Sequence, residues 1–548
     1  MGFDYDVIVI GSGFGGSVIS CRLAEKGKKV CLLERGKEYG LHSFPRRIHE
    51  VKNHLFWDPE DKKYGYMEIR DNPESDLMSV TSAGLGGGSL IYANVLIPMP
   101  SEYFKWWPKP YTRELLEPFY KKVLETMEAT PYPYGKDPYY TDTPKTKYFK
   151  EAGERIEKAH DDLEKPNVFF PHLAVRFKGD FPGHQQKNIH GSLQSKCNKC
   201  GECDIGCNSG AKNTLDHNYI FRARNLSNNP IDIKTQADVQ KIEPYQEGYK
   251  IEYLNLAESG RKVQMTAGKV FICAGSLGST RLLLKQKRMG TLPCLSEALG
   301  TRWSGNGDLL GFGLNCEKDL DPTNGPVITT AINFKFDSYP DGYPSALYLE
   351  DAGAPVGLAW YLAGKQLSPD SFWQSLKLGG RFIINRFKTI FGLQSPGEEI
   401  NIGDKFAHAI DSDKNLRQLM ILLGMGKDRS TGKLELREDD ELLLKWDIRP
   451  SQIHFDRTRE RMKSVVKELG GIFLDNPLTE VDKIVAVHPL GGCPMGPSKE
   501  EGVVDPLGRV YEYNNLYVVD GSIFPTSVGP NPALTIAAVA EYIADQVV

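Results

Sequence analysis

The sequence predicts an α/β fold in which a discontinuous nucleotide-binding domain is interleaved with a second domain. A strand, glycine-loop, helix and strand unit opens the chain, and related strand-and-turn segments follow in its middle and near its end. The stretches between these segments are long enough for another domain, and 548 residues exceed what one simple core needs. We therefore expect two domains, each assembled from separate parts of the chain.

The first element is a dinucleotide-binding unit in residues 4–36. An apolar strand, Tyr5–Ile10, leads directly into the motif G-x-G-x-x-G, a helix, and a second strand, Val30–Leu33. The three glycines permit the tight turn, the approach of a pyrophosphate and close helix–strand packing, and an acid after the second strand suits ribose hydroxyls. This is a Rossmann-type unit for FAD or NAD. Its predicted contacts are Gly11, Gly13, Phe14, Gly15, Gly16, Glu34 and Arg35.

A second glycine-rich loop, residues 84–89, precedes the apolar run 90–94. Consecutive glycines bring backbone N–H groups close to a large flat or anionic ligand. We expect this loop to contact the same dinucleotide. The predicted contacts are Gly84, Gly87, Gly88, Ser89 and Asn94.

Later segments return to the nucleotide-binding domain. Strands are predicted at Ile231–Val239, Val270–Gly275 and Leu516–Val519, and Asn531-Pro532 opens a last apolar helix. The predicted contacts in these segments are Val239, Ala274, Gly275, Asp520, Gly521, Asn531 and Pro532. The predicted nucleotide-binding domain comprises 1–45, 78–100, 195–300 and 481–548, and the second domain 46–77, 101–194 and 301–480. For the second domain we expect a mostly antiparallel sheet flanked by helices.

Four cysteines have the spacing C-x2-C-x2-C-x3-C, at Cys197, Cys200, Cys203 and Cys207. This is the ligand pattern of bacterial ferredoxins, and it predicts an iron–sulfur cluster, [4Fe-4S] or [3Fe-4S]. Only one copy is present, and Asn208 stands where ferredoxins have proline, so the fourth ligand is open. Zinc, or a metal-free set of packed or redox-active thiols, is the alternative. The candidates for the fourth ligand are Cys207, Cys294, Cys316 and Cys493.

Composition limits the function classes. The net charge of −4 gives no attraction to nucleic acid, and no apolar run is long enough to span a membrane. No leader pattern precedes the first strand, so a reducing cytoplasmic location is expected, where clustered cysteines favour metal binding or catalysis. The segment 367–395 alternates aromatic and aliphatic residues with basic ones. It is predicted to form an amphipathic helix that is packed on the second domain, contacts a membrane surface peripherally, or forms a lid over an apolar substrate.

Taken together, the glycine motif with Glu34, GLGGGSLIYAN, FICAGSLGSTRLLL and VVDGSIFPTSVGPNPALTI resemble the glucose–methanol–choline (GMC) family of FAD oxidoreductases. The match covers nearly the whole chain in the expected order. Within the family the chain is most similar to the cholesterol-oxidase branch, through VHPLGGC at 487–493 and Asn531. The resemblance implies FAD as the cofactor and a substrate domain for an alcohol or ketone.

The resemblance also implies the catalytic residues. His488 is expected to act as the base for the substrate hydroxyl, and Asn531 as a neutral hydrogen-bond donor, with helix capping as its other role. Glu350 lies in a looser match, where cholesterol oxidases carry a carboxylate that moves a proton on the substrate skeleton. A solvated loop acid is the alternative for Glu350.

The expected function is FAD-dependent oxidation of a secondary alcohol, sterol-like or otherwise apolar, or reduction of the matching ketone or enone. One alternative is an iron–sulfur-linked reductase or dehydrogenase that exchanges electrons with a ferredoxin-like protein. Another is a flavin- and cluster-bearing electron-transfer protein without a small substrate. His488 and Asn531 argue against this last alternative, because electron transfer alone needs neither a base nor a substrate donor.

Overall fold

The computed structural model describes residues 2–46, 50, 54–59, 62–71, 75–339, 341–353, 417–475 and 484–547. The amphipathic segment predicted at 367–395 lies outside the described residues. Among the residues described, no helix is long and apolar enough to cross a membrane.

Strands, many of them short, outnumber helices in the described part of the chain. The helices are α1 (Phe14–Glu25), α2 (Arg113–Thr126), α3 (Pro138–Thr141), α4 (Pro144–Arg155), α5 (Tyr219–Arg224), α6 (Gly275–Met289), α7 (Gln452–Glu468) and α8 (Ala533–Gln546). The strands are β1 (Tyr5–Ile10), β2 (Val30–Leu33), β3 (Trp57–Asp58), β4 (Lys63–Tyr64), β5 (Met67–Asp71), β6 (Leu77–Ser82), β7 (Val95–Leu96), β8 (Thr130–Pro131), β9 (Asn167–Phe169), β10 (His172–Leu173), β11 (Gln185–Lys187), β12 (Leu193–Ser195), β13 (Asp232–Lys234), β14 (Ala237–Tyr245), β15 (Gly248–Asn255), β16 (Arg261–Ile272), β17 (Leu309–Leu314), β18 (Ala331–Lys335), β19 (Ala346–Ala352), β20 (Met420–Gly426), β21 (Lys433–Leu436), β22 (Leu442–Lys445), β23 (Ile472–Asp475), β24 (Ile484–Ala486) and β25 (Leu516–Val518).

A parallel sheet in the order β13-β2-β1-β16-β25 organises the nucleotide-binding part. Its central strands are buried on both faces, which accounts for the continuous apolar run of β1. The single strand predicted at Ile231–Val239 is wrong. The chain forms β13, which joins the parallel sheet, and then β14, which pairs with β15 in an antiparallel ribbon. Gln236 separates them because its φ of 56° lies in the left-handed region.

An antiparallel sheet in the order β23-β17-β20-β19-β18-β9 forms the second part. One face packs against α7 and α4, and glycines on that face allow the close approach. A methyl group on Gly424 would lie 2.4 Å from the Thr458 side chain, for example. The predicted α/β fold, with a mostly antiparallel sheet flanked by helices beside the parallel one, is confirmed.

The two faces of the antiparallel sheet have different neighbours. Because successive side chains of a strand point to opposite faces, β19 sends Asp351 towards α4 and Glu350 towards the other side. Asp351 pairs with the buried Lys145 of α4, its Oδ2 atom 2.8 Å from Nζ. Leu423 of β20 is the register partner of Glu350. This face forms one wall of a large cavity.

Candidate active site

A large cavity of about 1250 Å³ runs from the carboxyl end of the parallel sheet to the face of the antiparallel sheet that carries Ala352 and Leu423. This volume exceeds the range of about 300–1,000 Å³ that is typical of pockets for one small ligand. The cavity therefore has room for a dinucleotide and a substrate together. The predicted cofactor contacts in its wall are Gly11, Gly13, Phe14, Gly15, Glu34, Arg35, Gly87, Gly88, Val239, Ala274, Gly275, Asp520, Gly521, Asn531 and Pro532.

Four other predicted contacts do not line the cavity: Gly16, Gly84, Ser89 and Asn94. Gly16 packs helix against loop, since a methyl group on it would lie 1.9 Å from the carbonyl oxygen of Gly11. The hydroxyl of Ser89 accepts a hydrogen bond from the Leu215 N–H and donates one to the Gly86 carbonyl. Gly16 and Ser89 therefore do not line the cavity but stabilise the conformations of the two glycine loops.

The two glycine loops meet at the cavity. A methyl group on Gly87 would lie 2.6 Å from the Cα atom of Gly13, so the loops touch backbone to backbone. A methyl group on Gly13, in contrast, would meet no atom within 4 Å. Since Gly13 lines the cavity, that methyl group would occupy open space there. The loops thus form a cradle that a side chain would fill, and this fits a bound dinucleotide.

Two acids near the cradle are held by backbone groups and hydroxyls. Glu34 is buried, and its carboxylate accepts hydrogen bonds from Ser12 N–H, Ser12 Oγ and Gly36 N–H. Asp520 accepts from Gly275 N–H at 2.9 Å and joins the start of α6 to the loop after β25. Burial raises the pKa of Asp520, and its hydrogen bonds oppose the rise. Both carboxylates are fixed before any ligand binds.

The predicted contact Arg35 packs against residues of β3 and β5, which form a further part of the wall that the sequence did not predict. The Arg35 guanidinium lies 4.9 Å from the centre of the Trp57 ring and 2.5 Å from Glu68 Oε2. Burial alone would raise the pKa of Glu68, but Arg35 and Arg70 lower it to about 2. Glu68 therefore stays ionised and holds Arg35 at the cavity.

His488 lines the other end of the cavity, just after β24. The buried carboxylate of Asp308 accepts hydrogen bonds from the backbone N–H groups of Val487 and His488, at 2.8 and 3.0 Å. Its second oxygen lies 2.8 Å from His488 Nδ1. Because a carboxylate only accepts, Nδ1 carries the proton, and Nε2 is the nitrogen with a free lone pair.

Asn531 lines the cavity and contacts Glu350, whose side chain is not part of the cavity lining. Asn531 Nδ2 donates to Glu350 Oε2 at 3.3 Å, and both side chains are buried. Among the residues that the structure describes, none forms a hydrogen bond with Asn531 Oδ1 or Glu350 Oε1. Burial raises the pKa of Glu350 to about 8. The solvated-loop alternative for Glu350 is therefore wrong, and its carboxyl is predominantly protonated at pH 7.

An apolar surface surrounds this pair. Glu350 lies opposite Leu423, and Ala352 lies opposite Ile421, on the sheet face that contributes to the cavity wall. Two side chains of β17 continue the row on the neighbouring strand. Sequence motifs did not indicate this surface, because it arises from strand register. The apolar residues that line the cavity from this side are Leu310, Phe312, Val327, Ile328, Ala352, Ile421 and Leu423.

The four cysteines of the ferredoxin-like motif line a separate small cavity of about 10 Å³, roughly the space that one water molecule needs. Cys197 and Cys203 are buried, and burial is the main cause that raises the pKa of both thiols. Within the described residues, no group of three or more His, Cys, Asp or Glu side chains is placed to hold a metal ion. The metal prediction thus gains no support from this placement. Cys294, Cys316 and Cys493 do not line the cavity.

The small cavity shares walls with the large one. Cys203 lines the small cavity, while the next two residues, Asp204 and Ile205, line the large one. In the same way, Pro326 lines the small cavity and the next residue, Val327, lines the large one. Lys212 Nζ donates to the carbonyl oxygen of Leu90, at the end of the second glycine loop, at 3.1 Å. Lys212 Nζ also donates to the carbonyl oxygen of Cys203 at 2.5 Å, so this lysine links the cysteine segment to the residue that follows the second glycine loop.

Comparisons with known proteins agree with this architecture. Two family models described as GMC oxidoreductase match residues 5–287 and 428–540. Cholesterol oxidases from Acinetobacter baumannii and Mycobacterium tuberculosis are each 28% identical to this chain over 98% of its length, and cover 93% and 90% of their own. Long-chain-alcohol oxidase FAO4A from Arabidopsis thaliana is 25% identical over 99% of this chain and 68% of its own.

A solved structure, pyridoxine 4-oxidase from Mesorbium loti, has the same fold with a TM-score of 0.59, 17% identity and 99% coverage of both chains. The motifs, the interleaved sheets and the two family matches agree. The predicted resemblance is confirmed: the chain belongs to the GMC oxidoreductase family, and it is an FAD-dependent oxidoreductase that acts on CH–OH groups.

Proposed function

We propose that this enzyme oxidises a secondary hydroxyl on an apolar, sterol-like molecule, or reduces the matching ketone or enone. The observation that carries the proposal is the apolar sheet face around the Glu350–Asn531 pair. A small charged alcohol would gain little from this surface, whereas a rigid hydrocarbon skeleton would bury apolar area on it. The cholesterol oxidases and the long-chain-alcohol oxidase among the relatives favour the same substrate class.

The residues have separate tasks in this proposal. Bound FAD supplies the acceptor for the two electrons that leave the alcohol carbon as a hydride. His488 Nε2, whose lone pair is free, accepts the hydroxyl proton. Asn531 contributes a hydrogen bond to the substrate oxygen. Glu350, mainly protonated at pH 7, lies beside Asn531, and its Oε1 has no hydrogen-bond partner among the described residues.

The test is anaerobic bleaching of the bound flavin with a 3-hydroxysterol, a long-chain primary alcohol and choline. The sterol should bleach the flavin fastest and choline slowest. His488→Ala should keep FAD and slow bleaching by about 10²–10⁴-fold, the usual contribution of a general base. His184→Ala, which changes a histidine that stacks on Phe181 and does not line the cavity, is the control. Wild-type rates in His488→Ala would contradict the proposal.

We also propose that the carboxylate form of Glu350, the minor form at pH 7, removes a proton from the carbon between the new ketone and the double bond and returns it to the far carbon of that double bond. Glu350→Gln should still oxidise a Δ5-3-hydroxysterol, because the base is unchanged. Its product should then keep the double bond unconjugated, and absorbance of a conjugated enone should not develop. Conjugated product at the wild-type rate from Glu350→Gln would exclude this role.

A second candidate concerns the cysteines. We propose that Cys197, Cys200, Cys203 and Cys207 hold an iron–sulfur cluster, and that a ferredoxin-like protein is the electron partner. Their convergence on one cavity that shares walls with the large one favours this role. The cavity of about 10 Å³ is smaller than a cluster, so the thiols would have to move apart to accept one. Zinc or free thiols are the competing outcomes.

The test is iron, sulfide, zinc and free-thiol analysis of anaerobically purified protein. Three or four irons per FAD, lost in a Cys200→Ser/Cys203→Ser variant and kept in Cys294→Ser, would support the cluster. Cys294 is an exposed cysteine outside the cavity and serves as the matched control. Zinc, or four titratable thiols without iron, would exclude the cluster.

A further inference from the structure

The turn at residues 304–308 contacts the segments of both catalytic residues. It precedes β17 and lies far from either segment in the sequence. Ser304 forms a pair of backbone hydrogen bonds with Leu490, at 3.0 and 2.9 Å. The turn is therefore joined by backbone contacts to the stretch that begins with His488.

Two buried side chains of this turn contact different segments: Asp308 contacts residues 487–488, and Asn306 contacts residues 528–530. Asp308 accepts from the backbone N–H groups of Val487 and His488 and from the His488 ring. Asn306 Oδ1 accepts from the N–H groups of residues 528 and 529, both at 3.0 Å. Asn306 Nδ2 donates to the carbonyl oxygens of residues 529 and 530, at 3.2 and 3.0 Å. Residue 530 immediately precedes Asn531.

We propose that Asp308 and Asn306 are positioning residues for the oxidation. Asp308 keeps the proton of His488 on Nδ1, so that Nε2 faces the cavity as an acceptor. Asn306 holds the loop that presents Asn531. One rigid turn thereby sets the base and the hydrogen-bond donor relative to each other, although they come from separate segments. This inference rests on the proposed role of His488 as the base.

The turn is built to be rigid. Asn306 and Gly307 have φ values of 57° and 67°, and Gly307 leaves no room for a side chain, since a methyl group would lie 2.4 Å from His454 Nε2. His454 Nε2 lies 2.9 Å from the Gly307 carbonyl oxygen, within hydrogen-bond distance. The neighbouring Gly305 N–H donates to buried Asp428. These contacts restrain the turn, so it can hold the two catalytic segments in a fixed relative position.

Asp308→Asn tests the role of Asp308. The amide oxygen can still accept from the backbone, but its NH₂ group would donate to Nδ1 and leave Nε2 protonated. We expect FAD content, melting temperature and KM close to wild type, and a kcat lower by about 10²–10⁴-fold. The remaining turnover should increase with pH, because hydroxide must then take the proton. A kcat within threefold of wild type in FAD-loaded protein would overturn the proposal.

Asp162→Asn is the matched control for that variant. Asp162 is also a buried carboxylate, and it pairs with Arg461 of α7. Its replacement should lower the melting temperature and leave kcat unchanged. An equal fall in kcat in Asp162→Asn would show that the effect of Asp308→Asn is structural, and would overturn the positioning role.

A measurement on the wild-type protein keeps the proposal testable if Asp308→Asn does not fold. The ¹⁵N spectrum of histidine-labelled, FAD-loaded enzyme, assigned with His488→Gln, should show protonated Nδ1 and unprotonated Nε2. The Nε2–H form would overturn the proposal. No substrate is needed, so this result stands apart from the bleaching assay. If the tautomer is as expected but His488→Ala is fully active, His488 is not the base and the proposed function is wrong. The orientation of the His488 ring by Asp308 would still be supported.

Asn306→Ala tests the second half of the proposal. It should lower kcat while FAD stays bound, because the loop before Asn531 loses its four hydrogen bonds. Asn188, a buried asparagine that bonds to Gln194 and the His217 carbonyl away from the cavity, provides the control. Asn188→Ala should lower stability without changing kcat. An unchanged kcat in Asn306→Ala would exclude the role of Asn306.

Discussion

Glu350 shows how placement changes the chemistry of a single residue. Its sequence context left two alternatives equally possible, a solvent-exposed loop acid and a catalytic acid. The solvent exposure of the side chain tests the first of them. The structure buries the side chain completely and gives it one partner, the Asn531 amide. Ionisation there would cost solvation energy that one amide hydrogen bond does not replace, so the neutral carboxyl is favoured.

The buried Glu350 carboxyl should make stability depend on pH. Its folded-state pKa of about 8 lies above the unfolded value of about 4.3. Its contribution is therefore fully present below about pH 4.3 and is lost as pH rises through about 8. Glu350→Gln removes this loss, worth roughly 1.4 kcal/mol per unit of pKa shift. In thermal unfolding of FAD-loaded protein, the melting temperature of the variant relative to wild type should rise from pH 5 to pH 8. A melting-temperature difference between variant and wild type that does not change with pH would contradict the raised pKa of Glu350.

At the scale of elements, local pattern predicted the nucleotide unit well, and long-range contacts decided the rest. The bounds of β1 and β2 agree with the sequence because strand, glycine turn and helix adjoin each other. Asp308 carried no recognisable signal, since its partner His488 lies 180 residues away. The apolar wall around Glu350 depends on strand register, which one sequence does not reveal. The domain boundaries remain a prediction.

Two neighbouring glycines in the first loop should behave differently on substitution. A methyl group on Gly15 would lie 1.8 Å from the Val519 carbonyl oxygen, so Gly15→Ala must displace backbone and should lower the melting temperature of the FAD-free protein. A methyl group on Gly13 meets no protein atom within 4 Å. Gly13→Ala should keep that melting temperature and weaken FAD binding by tenfold or more, about 1.4 kcal/mol.

Equilibrium titration with FAD and thermal unfolding of both apoproteins measure the two effects. If Gly13→Ala bound FAD as tightly as wild type, the cradle would not be the pyrophosphate site.

At the scale of the whole molecule, a buried ion-pair network joins the start of the chain to its end. Glu541 of α8 contacts Arg22 of α1 at 2.6 Å and Lys122 of α2 at 2.8 Å. Tyr219 also donates to it at 2.9 Å. Four helices that are distant in sequence, α1, α2, α5 and α8, thus meet at one carboxylate. Because buried charges are costly when unpaired, the network favours the arrangement in which all partners are present.

Glu541→Gln should destabilise the protein by about 3–5 kcal/mol, because Arg22 loses a buried partner. Burial alone would raise the pKa of Glu541, but Arg22 and Lys122 lower it below its usual value. The contribution is therefore present at neutral pH and is lost as pH falls through the folded-state pKa. Denaturant unfolding should show a large difference between wild type and variant at pH 7 and a smaller one near pH 3. Arg22→Met/Glu541→Leu should recover part of the loss.

The two adjacent carboxylates of β19 make that strand intolerant of a single deletion. Removing one residue before position 350 would exchange the two acids between the faces of the sheet. Ala352 would take the place of Asp351 opposite Lys145, and the glutamate would stand two residues, about 6.7 Å, along the strand from it. Aspartate, one methylene shorter, would lie beside Asn531, and the leucines at 347 and 349 would turn away from α7. The ion pair with α4 and the alternation of apolar residues therefore both hold the strand in the register that keeps glutamate beside Asn531.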